Sequence, residues 1–377
     1  MKSVGIYIHI PFCKSKCFYC DFYSRTESTG SKVEEYIDTV IKELLENTEL
    51  LGERKIKTVY FGGGTPSLID SKYITKILDV IHLFETEIEE ITIEVNPESL
   101  TIEKLQEYKS CGINRLSIGL QSANNGTLKK IGRIATVEMF ETAYNNAVKV
   151  GFTNISSDLI IGLPNETLKD FERSVDYLLD KEYIKHISAY SLEIHENSKL
   201  NFLIKNNFLE LPSEDLEREM KYLLDKKLEE KGFVRYEISN YAKEGYESKH
   251  NLSYWEQEEY IGLGAAAASY INSTRYTNIS DIDKYIEQIN TCVSVKEDIE
   301  ELDKLDLIKE YVILRLRLKE GIIKTAFKER FGKDIYELYK DKIDSLVEEG
   351  LLQDDGNSIK LTYKGEDLAN IVWQEFI

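Results

Sequence analysis

Nowhere does the sequence hold an apolar run near the roughly 18 residues that a membrane-spanning helix requires, so no membrane insertion is expected. Positive charge is also in short supply. The 48 Lys and Arg residues face 67 Asp and Glu, a formal balance of −19. A field of that sign opposes non-specific binding to nucleic acid and to anionic lipid. Cysteine is scarce and uneven: there are five in 377 residues, three of them between positions 13 and 20. That is not the even framework of a secreted disulfide domain, and a reducing cytoplasm is the compartment expected. The opening MKSVGIYIHIPF has one lysine, a short apolar stretch and no small-residue cleavage site. It predicts a first strand and no signal peptide.

What is present is a regular alternation. Strands are predicted at Val4–Ile10, Thr58–Phe61, Ile91–Val95, Arg115–Leu120, Ser157–Ile161 and His186–Leu192. Between them, apolar residues recur at spacings of three and four over 33–47, 73–84, 102–108, 137–150 and 168–179, which predicts helices. Strand alternating with helix means a parallel sheet with right-handed crossovers. Six such units predict an α/β fold, a partial (β/α)6 TIM-type barrel, with a doubly wound sheet as the competing arrangement. Ser213 is placed to cap an amphipathic helix to Lys231, and Phe233–Ile238 reads as a strand.

Residues 240–302 are rich in Tyr, Asn, Ser and Gly and read as an irregular extension between a barrel at 1–239 and a domain at 303–377. The last domain shows helices at 305–318, 324–331 and 335–349, a hairpin over 351–361 with an Asp-Asp-Gly-Asn turn, and a final helix. That order is winged-helix-like. Its 13 basic and 16 acidic side chains predict a structural or partner-docking role and no nucleic acid.

Cys13, Cys17 and Cys20 form C-x3-C-x2-C. A zinc site normally adds a second cysteine pair, and here Cys111 and Cys292 are isolated; both read as small buried side chains. Zinc completed by His9 or another histidine stays open as a reading. An iron–sulfur cluster is the better account, with three thiolates for four irons and one iron left for another ligand.

That spacing after the first strand of a parallel barrel resembles the radical S-adenosylmethionine (SAM) superfamily. The resemblance implies a [4Fe-4S] cluster whose open iron chelates the amino and carboxylate groups of SAM. One electron then cleaves a carbon–sulfur bond to give a 5′-deoxyadenosyl radical. An external electron donor is implied as well. YIHIPFCKSKCFYCDF resembles the oxygen-independent coproporphyrinogen III oxidase-like branch, over nearly the whole chain. On that likeness Cys13, Cys17 and Cys20 are the cluster ligands. Tyr7, Tyr19, Gly63, Gly64, Thr65, Glu94, Gln121, Arg133 and Asp158 match SAM-binding positions. Gly63, Gly64 and Thr65 lie in FGGGTP, and three of the other residues sit at or near successive strand ends, where barrel sites form.

Within the branch, the decarboxylating dehydrogenases carry a further cysteine two residues after the third ligand and a long N-terminal segment. Here Phe22 holds that position and the first ligand is already residue 13. Both features predict the haem chaperone group and an absence of coproporphyrinogen dehydrogenase activity. His250-Asn251-Leu252-Ser253-Tyr254-Trp255 matches that group's HNxxYW motif, which implies a haem contact at His250 with Tyr254 and Trp255 around it. Lys249 is placed to pair with a propionate. The partner implied is a haem-accepting protein. One departure is Ala268, in GLGAAAASY, where histidine is common. His82, His186, His195 and His9 carry structural readings.

Overall fold

The computed structural model describes residues 2–26 and 29–377. Six strands lie side by side in chain order: β1 (Lys2–Ile10), β2 (Arg54–Gly63), β3 (Thr86–Val95), β4 (Arg115–Gln121), β5 (Ile155–Ile161) and β6 (Ile184–Ser191). Each runs parallel to the next. A doubly wound sheet reverses its strand order at a switch point; this one does not. β1 and β6 are not paired with each other, so the barrel is partial and stays open.

The strands form because their two faces meet different surroundings. On β4, Leu116, Ile118 and Leu120 are buried in the main apolar core, while Arg115, Ser117, Gly119 and Gln121 line a central cavity. β3 and β5 follow the same rule, with Ile93 outward against Glu94, and Leu159 and Ile161 outward against Asp158. The outward faces are covered by the helices Gly30–Glu46, Ser71–Ile81, Ile102–Ser110, Val137–Val150 and Leu168–Leu179, whose buried stripes join the same core. Each fully buried Ile or Leu there contributes about 1.5–3 kcal/mol relative to exposure. The helix starts are encoded locally. Thr29, Asp70, Thr101, Thr136 and Thr167 each accept a backbone N–H with the side chain, and Ser213 does so for Glu214–Glu230, as predicted.

Two expectations are corrected. The strand predicted over Phe233–Ile238 shrinks to β7 (Val234–Arg235), which pairs with β8 (Asn240–Ala242) beside β6. Phe233 is drawn into the core and the Tyr236 hydroxyl turns in to bond His186 at 2.8 Å. The stretch read as irregular is ordered. It contains the helix Lys249–Trp255, β9 (Tyr260–Leu263), β10 (Ala268–Ile271), β11 (Thr274–Asn278), the helix Ile282–Asn290 and β12 (Lys296–Glu301). β9 runs parallel to β1, and β10 to β12 continue the sheet antiparallel. Glu43 ties this extension to the first helix, accepting hydrogen bonds from Tyr285 Oη at 2.6 Å, Asn278 Nδ2 at 2.6 Å and the Gly264 amide at 2.8 Å. The sheet ends at β12, all six residues of which are exposed.

The C-terminal part has its own apolar core. The helices Lys304–Arg315, Lys324–Phe331 and Ile335–Glu348 are followed by the hairpin β14 (Leu352–Asp354) and β15 (Ser358–Leu361), with β13 (Ile322–Ile323) on the other side of β15. This is the winged-helix-like arrangement predicted. The final helix is two short ones, Tyr363–Asp367 and Ala369–Gln374, parted at Leu368. No described helix is long and apolar enough to cross a membrane.

Candidate functional site

The loop after β1 carries the three cysteines, and its backbone is pinned from three sides. Cys13 N donates to Arg25 O at 3.0 Å, Thr65 N to Phe12 O at 2.8 Å, and Phe18 N to Ile131 O at 2.9 Å. The loop from β2 lies so close that a Cβ on Gly64 would stand 2.7 Å from Ile10 O, and Gly63 takes a left-handed φ of 103°. Only glycine allows both.

From this loop a polar chain runs across the barrel mouth. Thr65 Oγ1 donates to Cys13 Sγ at 3.5 Å and accepts from Asn96 Nδ2 at 3.0 Å. Asn96 Oδ1 accepts from Arg133 at 3.0 Å, and Arg133 also reaches Gly119 O at 3.0 Å and Cys17 Sγ at 3.9 Å. The space for that guanidinium exists because residue 119 has no side chain. A Cβ there would stand 2.6 Å from Arg133 and 2.8 Å from the Gln121 amide nitrogen. Asn96 and Gly119 were not singled out from sequence. The inward spacing Arg115, Ser117, Gly119, Gln121 is the signal for Gly119.

Cys13, Cys17, Cys20, Tyr19, Gly63, Gly64, Thr65, Glu94, Gln121, Arg133 and Asp158 all line one cavity of about 540 Å³. Gln121 is held with φ at 70°, after a bulge in β4. Glu94 accepts from Tyr60 Oη at 2.8 Å and from Gly63 N at 3.2 Å. Burial nevertheless pushes its pKa up to about 7. Burial also raises Asp158, Cys20 and the Tyr19 hydroxyl. Tyr7 is not on the cavity wall; it stacks behind Tyr60 with ring centroids 6.2 Å apart and bonds His9 at 3.1 Å. Phe22 stands at the cavity, 67% exposed.

The HNxxYW residues lie elsewhere. The helix Lys249–Trp255 packs on β2 and β3, with Glu90 accepting its first amides, Lys249 N at 3.0 Å and His250 N at 3.2 Å. His250 is buried, and both ring nitrogens are engaged: Nδ1 with Thr58 Oγ1 at 2.8 Å, Nε2 with Tyr254 Oη at 2.7 Å. Burial, with the charge of Arg115, lowers its pKa to about 3, so the ring is neutral. Trp255 packs under the Arg317 guanidinium, 4.2 Å from its ring centre, against the C-terminal domain. Asn251 alone of the six lines the cavity. Lys249 pairs with Glu89 instead of standing free for a propionate, and Ala268 is exposed on β10.

Of the remaining histidines, His9 is hydrogen-bonded as expected and His82 ends a helix. His186 is buried between Ser156 and Tyr236, and His195 reaches the cavity, 3.6 Å from Asp21. Cys111 is half-buried, but Cys292 is exposed just past the helix Ile282–Asn290, which corrects its core reading.

The donor set fits a cluster better than a single ion. Among the described residues no three His, Cys, Asp or Glu side chains converge closely enough to hold one metal ion. A zinc ion needs four donors at about 2.0–2.3 Å. A cubane with an iron for each thiolate accommodates sulfurs that stand apart.

Comparison with known proteins agrees. The profile of the Radical SAM superfamily matches residues 7–178, and that of the HemN C-terminal domain matches residues 302–368. The chain is 36% identical over its whole length to Heme chaperone HemW of Bacillus subtilis, covering 99% of that protein. It is 35% identical to Heme chaperone HemW of Lactococcus lactis, covering 98%. Coproporphyrinogen III oxidase (HemN) from Escherichia coli, described as a radical SAM enzyme, superposes with a TM-score of 0.86 over 100% of this chain and 90% of that one; at 21% identity this shows the fold. A [4Fe-4S] cluster and SAM are the cofactors of the superfamily. The chain belongs to the radical SAM superfamily and, within it, to the family of the heme chaperone HemW.

Proposed function

We propose that this protein is a cytoplasmic haem chaperone, which binds haem beside its [4Fe-4S] cluster and SAM and passes it to an acceptor protein. The observation that carries this reading is the full-length likeness to proteins named Heme chaperone HemW. Phe22, where the dehydrogenases have a further cysteine, supports it against coproporphyrinogen decarboxylation.

Cys13, Cys17 and Cys20 would hold the cluster. Thr65 and Arg133, already aimed at two of the three sulfurs, would donate to them. Glu94, Gln121, Arg133, Asp158 and Tyr19 would orient SAM in the cavity, with Gly63 and Gly64 letting the backbone approach it. Together, cluster and SAM supply one-electron cleavage of a carbon–sulfur bond, with the electron drawn from an external donor.

His250 is the proposed haem contact. A neutral imidazole is the form that ligates iron. Its ring bonds to Thr58 and Tyr254 make that contact conditional: one must open, and the buried ring must be uncovered, before iron is reached.

The test is an anaerobic haem titration of cluster-reconstituted protein followed by absorption, beside a His250→Ala variant. Saturable binding weakened by the substitution is expected, with no turnover of coproporphyrinogen. Failure of the wild type to bind haem would overturn the reading. Equal binding by both would keep haem and remove it from His250.

A further inference from the structure

Four arginines are buried to below one-tenth exposure. Three have carboxylate partners: Arg54 with Glu259, Arg235 with Asp225 and Glu366, and Arg315 with Glu320. Arg115, at 2% exposure, is the exception. Among the described residues no carboxylate lies within 4 Å of its guanidinium. Its Nε has no hydrogen-bond partner, and its one side-chain bond is a long 3.5 Å contact to Thr92 Oγ1.

The side chain nonetheless lines the cavity. Arg115 opens β4, whereas Gln121 closes it, so it lies at the far end of the lumen from the cysteine loop. Asn251, from the helix packed under that end, lines the same space. Glu94 and Asp158 share the cavity and feel its charge, but neither pairs with it directly. Both oxygens of Glu94 already accept from Tyr60 and Gly63, and Asp158 is more than 4 Å away. A guanidinium is always charged, and burying one unpaired is costly. A fold keeps such a group where a ligand brings the missing anion, and the planar fork suits a carboxylate.

We propose that Arg115 is the receptor for the carboxylate of an organic ligand held in the barrel lumen. The inference rests on reading the lumen as a ligand site. The methionine carboxylate of SAM is expected on the open iron, at the opposite end of the cavity, so the carboxylate that fits Arg115 is the propionate of a tetrapyrrole.

The experiment uses the full chain with its cluster reconstituted, as wild type, Arg115→Gln and Arg115→Lys. Each is titrated with haem against haem dimethyl ester, and with SAM against decarboxylated SAM as the control for a carboxylate held at the iron. The wild type is expected to favour haem over its ester by at least tenfold. Arg115→Gln brings the two within about threefold and Arg115→Lys retains part of the difference, while both variants keep the wild-type preference for SAM. A wild type that binds haem and its ester alike overturns the proposal, as does a preference that Arg115→Gln leaves intact, or one lost together with the SAM preference. If Arg115→Gln does not fold, an unchanged preference in Arg115→Lys overturns it instead. A wild type that binds neither form of haem defeats the chaperone reading and the proposal with it.

Discussion

Asn96 Oδ1 accepts a hydrogen bond from the Arg133 guanidinium at 3.0 Å, and the same amide donates to Thr65. One short side chain thereby couples the two groups that address Cys13 and Cys17. Donors to cluster sulfurs stabilise the reduced, more negative state. Thr65→Val removes one such donor and leaves the Asn96 amide short of an acceptor. The cluster should still assemble on its three cysteines, with a lower reduction potential by redox titration followed by electron paramagnetic resonance. The apo-protein should lose about 1–3 kcal/mol in urea unfolding.

Gly119→Ala places a methyl group where Arg133 and Gln121 now meet. Both side chains belong to the expected SAM site. Iron and sulfide content should match the wild type, while SAM affinity falls tenfold or more in equilibrium dialysis. Retained affinity would remove Arg133 from the binding site.

The outer half of this site and most of the barrel were legible in the sequence, and the reason is physical. Parallel strands buried on both faces read as unbroken apolar runs. β4 alternates instead, because its inner face lines a polar cavity, so RLSIGLQ shows strand period and cavity residues together. Asn96 was hidden because its role depends on two partners, Thr65 and Arg133, each more than thirty positions away. The helix Lys249–Trp255 and strands β9 to β12 were hidden differently. They are short, and they are held by pairing to β1 and by Glu43 and Glu90, none of which is local in sequence.

Tyr254→Phe removes the hydroxyl that occupies His250 Nε2. If His250 ligates haem, the variant should bind it faster and tighter than wild type, by severalfold, in stopped-flow absorption. Slower binding would mean that the hydroxyl helps the haem-bound form.

Glu43 gives a pH signature. Burial raises its pKa to about 7 despite three donors. The folded state therefore favours the protonated acid. Its contribution is full below the unfolded value near 4.5 and is lost as pH rises through about 7. Glu43→Gln should flatten that part of the stability profile. The wild-type-minus-variant difference should change by up to about 3 kcal/mol between pH 4.5 and 8 in urea unfolding. A parallel pair of profiles would count against the assignment.

The last strand of the sheet, β12, carries Glu297, Asp298, Glu300 and Glu301 against a single lysine, all turned to solvent. An open sheet edge is a template for a further strand from another molecule. Two copies meeting there would bring four carboxylates against four in any register, in a chain whose overall charge is already −19. The unpaired backbone of this edge is thus defended by repulsion, and the polymer that an open barrel could otherwise seed is disfavoured without any covering element.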